Sequence, residues 1–390
     1  MKTRRLPVEL TSPSDFRPRF CPIAGCADHH LPSDRRYRYV RNGFYRRKYD
    51  RRRIQRFKCK HCGGGFSQQT FSVTYCMKRP DLLEWVSNWV PSGAAMRRVV
   101  RCRNGMRSQR PCHPSTLPRV ARRVGSQCLL ALEELRGSLP PISEPIVSDH
   151  FETFAGMQEN ALAVATPVGA WSWLVYGLES AWHRQATAAA KRKQRVAPTP
   201  GSIERSVKRM LDKLVDQLAD GEVLDLVSDD DPNHANAITK HPEGHRIRHS
   251  AYPNPPVRLK GEPRDEATKV RDTELFPVDL LHKLHRNWLA DHHRETLAFG
   301  KRGEAVLERM AILATLRNLI QGVSERKSDE TTPAMRLELT KRPWVWDEVL
   351  AERRFPTRIR LSASAAEVYG RTMRDPRGIE WPAHVRMRAL

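Results

Sequence analysis

Three aspartates, far apart along the chain, sit where a metal-dependent reaction could use them. Asp149 follows the apolar run Ile146-Val147-Ser148. Asp229 begins the acidic run Asp229-Asp230-Asp231-Pro232 behind the strand-like residues 223–228, and Asp279 lies in Pro277-Val278-Asp279-Leu280-Leu281. Each aspartate alone is more often a turn or cap residue. Brought together, carboxylates repel one another and are costly to hold unless a divalent cation lies between them. Oxygen ligands suit Mg2+ or Mn2+, and two such ions ~4 Å apart can clamp the attacking and leaving oxygens of a phosphodiester displacement.

A second set of residues has metal-ligand spacing. Cys21 and Cys26 form a C-x4-C pair, and Cys59 and Cys62 a C-x2-C pair followed by Gly63-Gly64-Gly65. A tight turn with two thiolates, and glycine beyond it to let amides face the sulfurs, is what tetrahedral Zn2+ needs from each half of a four-sulfur site. Two such turns make a zinc ribbon. His29, His30 and His61 are substitute ligands, while Cys76, Cys102, Cys112 and Cys128 have no matching partner and are expected to be ordinary thiols, as in a reducing compartment.

The elements that must hold these residues divide by charge. Residues 1–140 carry 30 Lys and Arg against 9 Asp and Glu, 30 minus 9 or +21; the remaining 38 and 35 give 38 minus 35 or +3. The first third therefore faces a polyanion, and the interleaving of basic residues with aromatics and cysteines favours nucleic acid over a membrane surface. No apolar run approaches the ~20 residues of a bilayer span, and the first residues lack an apolar leader, so a cytoplasmic, nucleoid-associated protein is expected.

Taken in order, residues 37–41 and 55–58 alternate apolar and basic residues as half-exposed strands do, which directs Arg56, Lys58 and Lys60 to phosphate. Apolar positions at helical spacing predict short helices over 82–90, 92–100 and 115–124. The last of these carries Arg119, Arg122 and Arg123, an arrangement that suits a helix-turn-helix. A further helix over 127–135 leads to the linker 138–144. Beyond it, strands are expected over 146–149, 161–166 and 171–177, then a helix over 203–218 and a parallel strand over 223–228. A meander, a helix and a parallel strand with an acidic end is the order of an RNase H-like core, in an α/β fold class. In that order Asp149 faces one of the Asp229 cluster. The third acid comes from a later helix that begins near Asp279 and runs on through residues 294–299.

Three stretches resemble one family: Arg56-Phe57-Lys58-Cys59-Lys60-His61-Cys62 with Phe66-Ser67 and Thr70-Phe71; Ser228-Asp229-Asp230-Asp231-Pro232-Asn233-His234; and Arg294-Glu295-Thr296-Leu297-Ala298-Phe299. Together they are similar to insertion-sequence DDE transposases with an N-terminal zinc ribbon, over most of the chain. The resemblance implies Asp149, Asp229 and Asp279 as the catalytic acids, the last standing where the family usually has Glu, with Glu295, Glu304 and Glu308 as substitutes. It also implies that His285, Arg286 and Arg294 lie near the cleaved DNA. The implied reaction is Mg2+-dependent cleavage of double-stranded transposon ends followed by attack of the freed 3′ hydroxyl on target DNA, in a homo-oligomer that pairs two ends.

The expected organisation is a zinc ribbon with basic flanks over 1–77, a helix-turn-helix region over 78–137, the linker, a catalytic domain over 145–325 and a tail over 326–390. Trp344, Trp346 and Phe355 are expected to tuck that tail onto the catalytic core. The rival from another class is a zinc-ribbon, helix-turn-helix DNA-binding regulator without catalysis; a structure-selective nuclease of the same fold is the rival enzyme. A pure binder has no reason to place three carboxylates where they would repel phosphate.

Overall fold

In a computed structural model, which describes residues 7–183, 201–255, 262–293, 296, 298–324 and 329–373, the N-terminal part is a small antiparallel sheet. It consists of β1 (Tyr39–Arg46), β2 (Arg53–Cys59) and β3 (Gly65–Ser67). Along β2, Phe57 and Cys59 are buried while Arg56 and Lys58 are exposed, the alternation expected from the sequence. Phe57 and Phe66 stack with ring centroids 5.5 Å apart over a core that includes Phe16 and Phe71. Phe355 belongs to this core rather than to that of the main sheet: it meets Phe20 and Phe71 edge-on, whereas Trp344 and Trp346 pack on the main sheet's core. Backbone bonds Val8 N–Ala351 O (2.8 Å) and Arg353 N–Phe71 O (2.7 Å) stitch the tail to the small sheet.

Three helices follow, α1 (Leu82–Trp89), α2 (Met96–Asn104) and α3 (Thr116–Arg136). The last merges the two helices expected over 115–124 and 127–135. Gly125 and Ser126 do not break it, because Gly125 is a contact point. A Cβ there would lie 2.5 Å from Glu308 Cβ and 2.6 Å from its carbonyl oxygen on the later helix that crosses α3. Gly125→Ala is therefore expected to lower the urea midpoint by about 2–3 kcal/mol equivalent, with the slope unchanged. Gly137→Ala, whose Cβ would find its nearest neighbour at 3.6 Å, should stay within about 0.5 kcal/mol of the parent.

The main sheet has five strands in the order β6-β5-β4-β7-β8: β4 (Ile146–Phe154), β5 (Ala161–Gly169), β6 (Glu179–Trp182), β7 (Leu224–Asp229) and β8 (Ile247–Tyr252). β5 runs antiparallel to both its neighbours, and β4, β7 and β8 are parallel, so the chain is a mixed α/β protein with one mixed sheet. The third strand is residues 179–182, not 171–177. The latter segment turns back at Trp173 (φ 60°) and winds around the carboxylate of Glu144, which accepts from the backbone of Trp171 and Ser172 at 2.8 Å each. Glu144 and Ile142 are buried, so the end of the expected linker 138–144 packs into the fold.

Helices cover both faces. α4 (Ser202–Val215) and α5 (Pro232–Thr239) lie on one, where Ile146, Ala165 and Leu226 meet Val207, Met210 and Leu214. On the other, Val147, Phe151 and Val164 meet α7 (Phe276–Trp288) and α8 (Gly303–Thr315), and the same core continues into α1 and α3. The helical region is thus continuous with the sheet's core rather than a body of its own. α6 (Glu266–Glu274) precedes α7, and α7 stops at Trp288 instead of running on to Phe299. No helix of the described residues is long and apolar enough to cross a membrane.

Candidate functional site

Strand alternation decides where Asp149 points. Ser148 Oγ reaches Met210 Sδ (3.0 Å) and His150 Nε2 reaches Ser206 Oγ (3.1 Å), both on α4. Asp149, between them, must face α7, where its Oδ2 lies 3.6 Å from His282 Nδ1. β4 and β7 pair Ser148 with Ser228, so Asp149 and Asp229 stand one step beyond a paired position, about one strand spacing, ~5 Å, apart at their Cα atoms. This selects Asp229 from its acidic cluster. Asp231 is used as the N-cap of α5, its Oδ1 accepting from Asn233 N at 3.0 Å, and Asp230 is exposed.

Asp279 sits in the first turn of α7. Its Oδ2 pairs with Arg271 Nη1 at 2.6 Å; Arg271 Nη2 donates to Asn254 Oδ1 (3.0 Å), and Asn254 Nδ2 donates to Asp229 Oδ2 (3.3 Å). Arg271 and Asn254 thus link the second and third acids. Asp229 Oδ1 is buried and has no hydrogen-bond partner among the described residues, with the equally unpartnered His234 Nδ1 3.9 Å away.

Electrostatics join the three acids. Burial raises the Asp149 carboxyl to about 7, and the charges of Asp229 and then Asp279 add to the rise. Burial and the charge of Asp231 likewise push Asp229 up, against the pull of the Asp231 amide, Asn254 and Arg271. Burial lowers His282 to about 3, keeping it neutral beside Asp149.

The sign of a raised carboxyl pKa is that folding favours the protonated form. In Mg2+-free buffer the protein should lose stability as pH rises from about 4 to 7, by on the order of 3–4 kcal/mol from this group. Asp149→Asn should therefore melt above the parent at pH 8, and the gap should close by pH 4. An equal melting difference at both pH values would contradict the assignment.

The donor set fits a hard divalent cation: carboxylate oxygens, one of them an unsatisfied buried atom, next to a carboxyl that gains by having positive charge brought to it. The acids are looser than the thiols, however. Among the described residues only Cys21, Cys26, Cys59 and Cys62 bring three or more donor atoms within 4.8 Å of one another. Cys21 and Cys62 sulfurs are 3.8 Å apart, as are those of Cys26 and Cys59. His61 N points at Cys59 Sγ (3.3 Å) and Gly64 N at Cys62 Sγ (3.4 Å), the amide–sulfur contacts expected of such turns, with Gly63 at φ 68°. Burial pushes the Cys21 thiol up to about 12. At Cys59 burial acts the same way, but Tyr37 and the amides of Cys62 and His61 outweigh it and bring that thiol to about 7. The cluster could hold a tetrahedral metal without help from histidine. His29 is buried, with Nδ1 2.7 Å from Cys21 O and Nε2 2.7 Å from Thr357 Oγ1, and His30 and His61 are exposed.

The expected basic contacts separate. Arg56, Lys58, Lys60, Arg119 and Arg122 are exposed. Arg123 is turned inward, donating to Tyr75 O at 2.8 Å. Arg286 lies 4.4 Å from the Phe151 ring and donates to His292 O and Glu152 O, so it ties α7 to β4 rather than facing outward. His285 is fully buried against Phe151. Arg294 and Glu295 lie outside the described residues. Glu304 and Glu308 are buried on α8, where Glu308 is bonded to Ser126 and Arg371.

Arg271, Asn254 and His282 did not stand out in the sequence. His282 alone had a signal, a histidine three residues after Asp279 on one helix face. Compared with protein-family models and with curated proteins, the chain matches none of them.

Proposed function

We propose that the chain is a metal-dependent DNA phosphoryl transferase, a DDE-type transposase that binds the terminal DNA of an insertion-sequence element, cuts it and joins it to target DNA. The observation that carries this reading is Asp149 beside Asp229 on adjacent parallel strands, with Asp279 close enough for its charge to act on Asp149. The strand order β6-β5-β4-β7-β8 with β5 alone reversed supports an RNase H-like core.

In this reading Asp149 and Asp229 hold a divalent cation between them, and Asp279 completes the set from α7. Mg2+ or Mn2+, when bound, supplies activation of the attacking oxygen and charge neutralisation at the leaving one. Until then Arg271 offsets the charge of Asp279. The chain's own part is to fix the carboxylates on a rigid sheet and to bring the strand to them. Arg56 and Lys58 on β2, with Lys60 just past its end, form a phosphate-binding row. α1 to α3 act as the helix-turn-helix part, with Arg119 and Arg122 directed to a groove. Zn2+ on the four cysteines holds the ribbon together. Two transposon ends must be cut in concert, which calls for a homo-oligomer on double-stranded DNA.

One observation favours a second reading, a DNA-binding regulator without catalysis: Arg271 already pairs with Asp279, and the acids are more open than the thiols. A duplex carrying the element's own ends separates the two. A transposase gives 3′-hydroxyl cleavage and joined products that need Mg2+ or Mn2+; a regulator shifts the same duplex on a gel and leaves it whole with either ion.

A further inference from the structure

Thr166 bridges the Asp149 backbone and the histidine that faces the Asp149 side chain. Its hydroxyl, on β5, donates to the Asp149 carbonyl oxygen at 3.1 Å and lies 2.8 Å from His282 Nε2. A hydroxyl carries one proton. With that proton given to the carbonyl, Thr166 can only accept from Nε2, and His282 is then the Nε2–H tautomer with a lone pair on Nδ1. The lone pair lies 3.6 Å from Asp149 Oδ2. Once Asp149 is ionised, two acceptors face each other across that distance and repel unless a cation stands between them. Two donors each about 2.1–2.2 Å from one ion lie roughly 3.0–3.6 Å apart at octahedral to tetrahedral angles, so the pair is already spaced for a shared cation. A hydrogen bond from the other ring nitrogen is also what orients a metal-bound imidazole.

We propose that His282 Nδ1 is a nitrogen ligand of the cation held by Asp149, and that this makes the acidic site favour Mn2+ over Mg2+ and Ca2+. The inference rests on the reading that these acids bind a divalent ion. Asp279 and His282 are three residues apart on α7, so one helix face carries a carboxylate and an imidazole, the imidazole facing Asp149. Imidazole adds little for a hard ion such as Ca2+ and more for one further along the first transition series.

The test is Mn2+ added to the full-length, zinc-loaded protein, with electron spin-echo modulation reporting nitrogen bound to the ion. The parent should show 14N modulation of a directly coordinated imidazole. His282→Gln should abolish it and weaken Mn2+ about 10–100-fold. Bound Mn2+ that Asp149→Asn displaces, but with no 14N modulation in the parent, overturns the inference while leaving the acidic site in place. Modulation that persists in His282→Gln overturns it as well. No Asp149-dependent Mn2+ binding overturns both the inference and the reading it rests on. If His282→Gln does not fold, His282→Asn takes its place, and a parent with bound Mn2+ but no 14N modulation overturns the inference without either variant.

Discussion

Asp149→Asn is expected to slow Mg2+-dependent strand cleavage about a thousand-fold, a loss of about 4 kcal/mol of transition-state stabilisation, with binding to the same DNA retained. The substitution keeps the shape of the side chain and the oxygen that accepts from His150 N, so the sheet should be undisturbed. It removes the negative charge on which a cation at this position depends. Because that charge is costly in the folded protein without metal, the variant should be no less stable than the parent, and a loss of activity cannot then be ascribed to unfolding. Asp229→Asn should behave in the same way, and the double variant should be no slower than either single one, since residues that act as a unit do not add. Equal cleavage by parent and Asp149→Asn would remove the catalytic assignment.

The second large effect is expected at the thiols. One zinc per chain should be found in protein purified without chelator, and Cys59→Ser should lose it. The small sheet has a modest aromatic core, and binding at a four-sulfur site contributes on the order of 10 kcal/mol to folding, more than that core supplies alone. Cys59→Ser should therefore leave β1 to β3 open to proteolysis while the five-stranded sheet stays protected. Affinity for DNA should fall more than ten-fold as the row Arg56, Lys58 and Lys60 loses its strand. Protein that contains no zinc and keeps the small sheet protected would undo this account of the cysteines.

The parts of the fold that were legible in the sequence are those set by local pattern. Cys21, Cys26, Cys59 and Cys62 were found from spacing alone, because a metal-binding turn is a local structure with few solutions. The apolar runs around Ile146, Leu162 and Leu226 marked β4, β5 and β7, and the parallel pairing of the first with the last follows from the helix between them. What escaped depends on contacts distant in sequence. Gly125 looks like the end of a helix until Glu308 is seen against it. Residues 171–177 are apolar enough for a strand, yet the buried Glu144 carboxylate draws their amides away from a ladder. Phe355 carries no mark of the ribbon core it enters, and Arg271 has none of its link between Asp279 and Asn254. Gly125 and Phe355 owe their roles to partners far along the chain, and Glu144 and Arg271 to partners 8 to 28 residues away, separations that no helix or strand period encodes.

The central claim is that Asp149 and Asp229 hold one cation between them. Crystals of the protein soaked in Mn2+ and measured at the manganese absorption edge test it directly. The account predicts an anomalous peak about 2.2 Å from a carboxylate oxygen of each residue, absent in Asp149→Asn. Full occupancy of manganese elsewhere, with none between these two side chains, would contradict it.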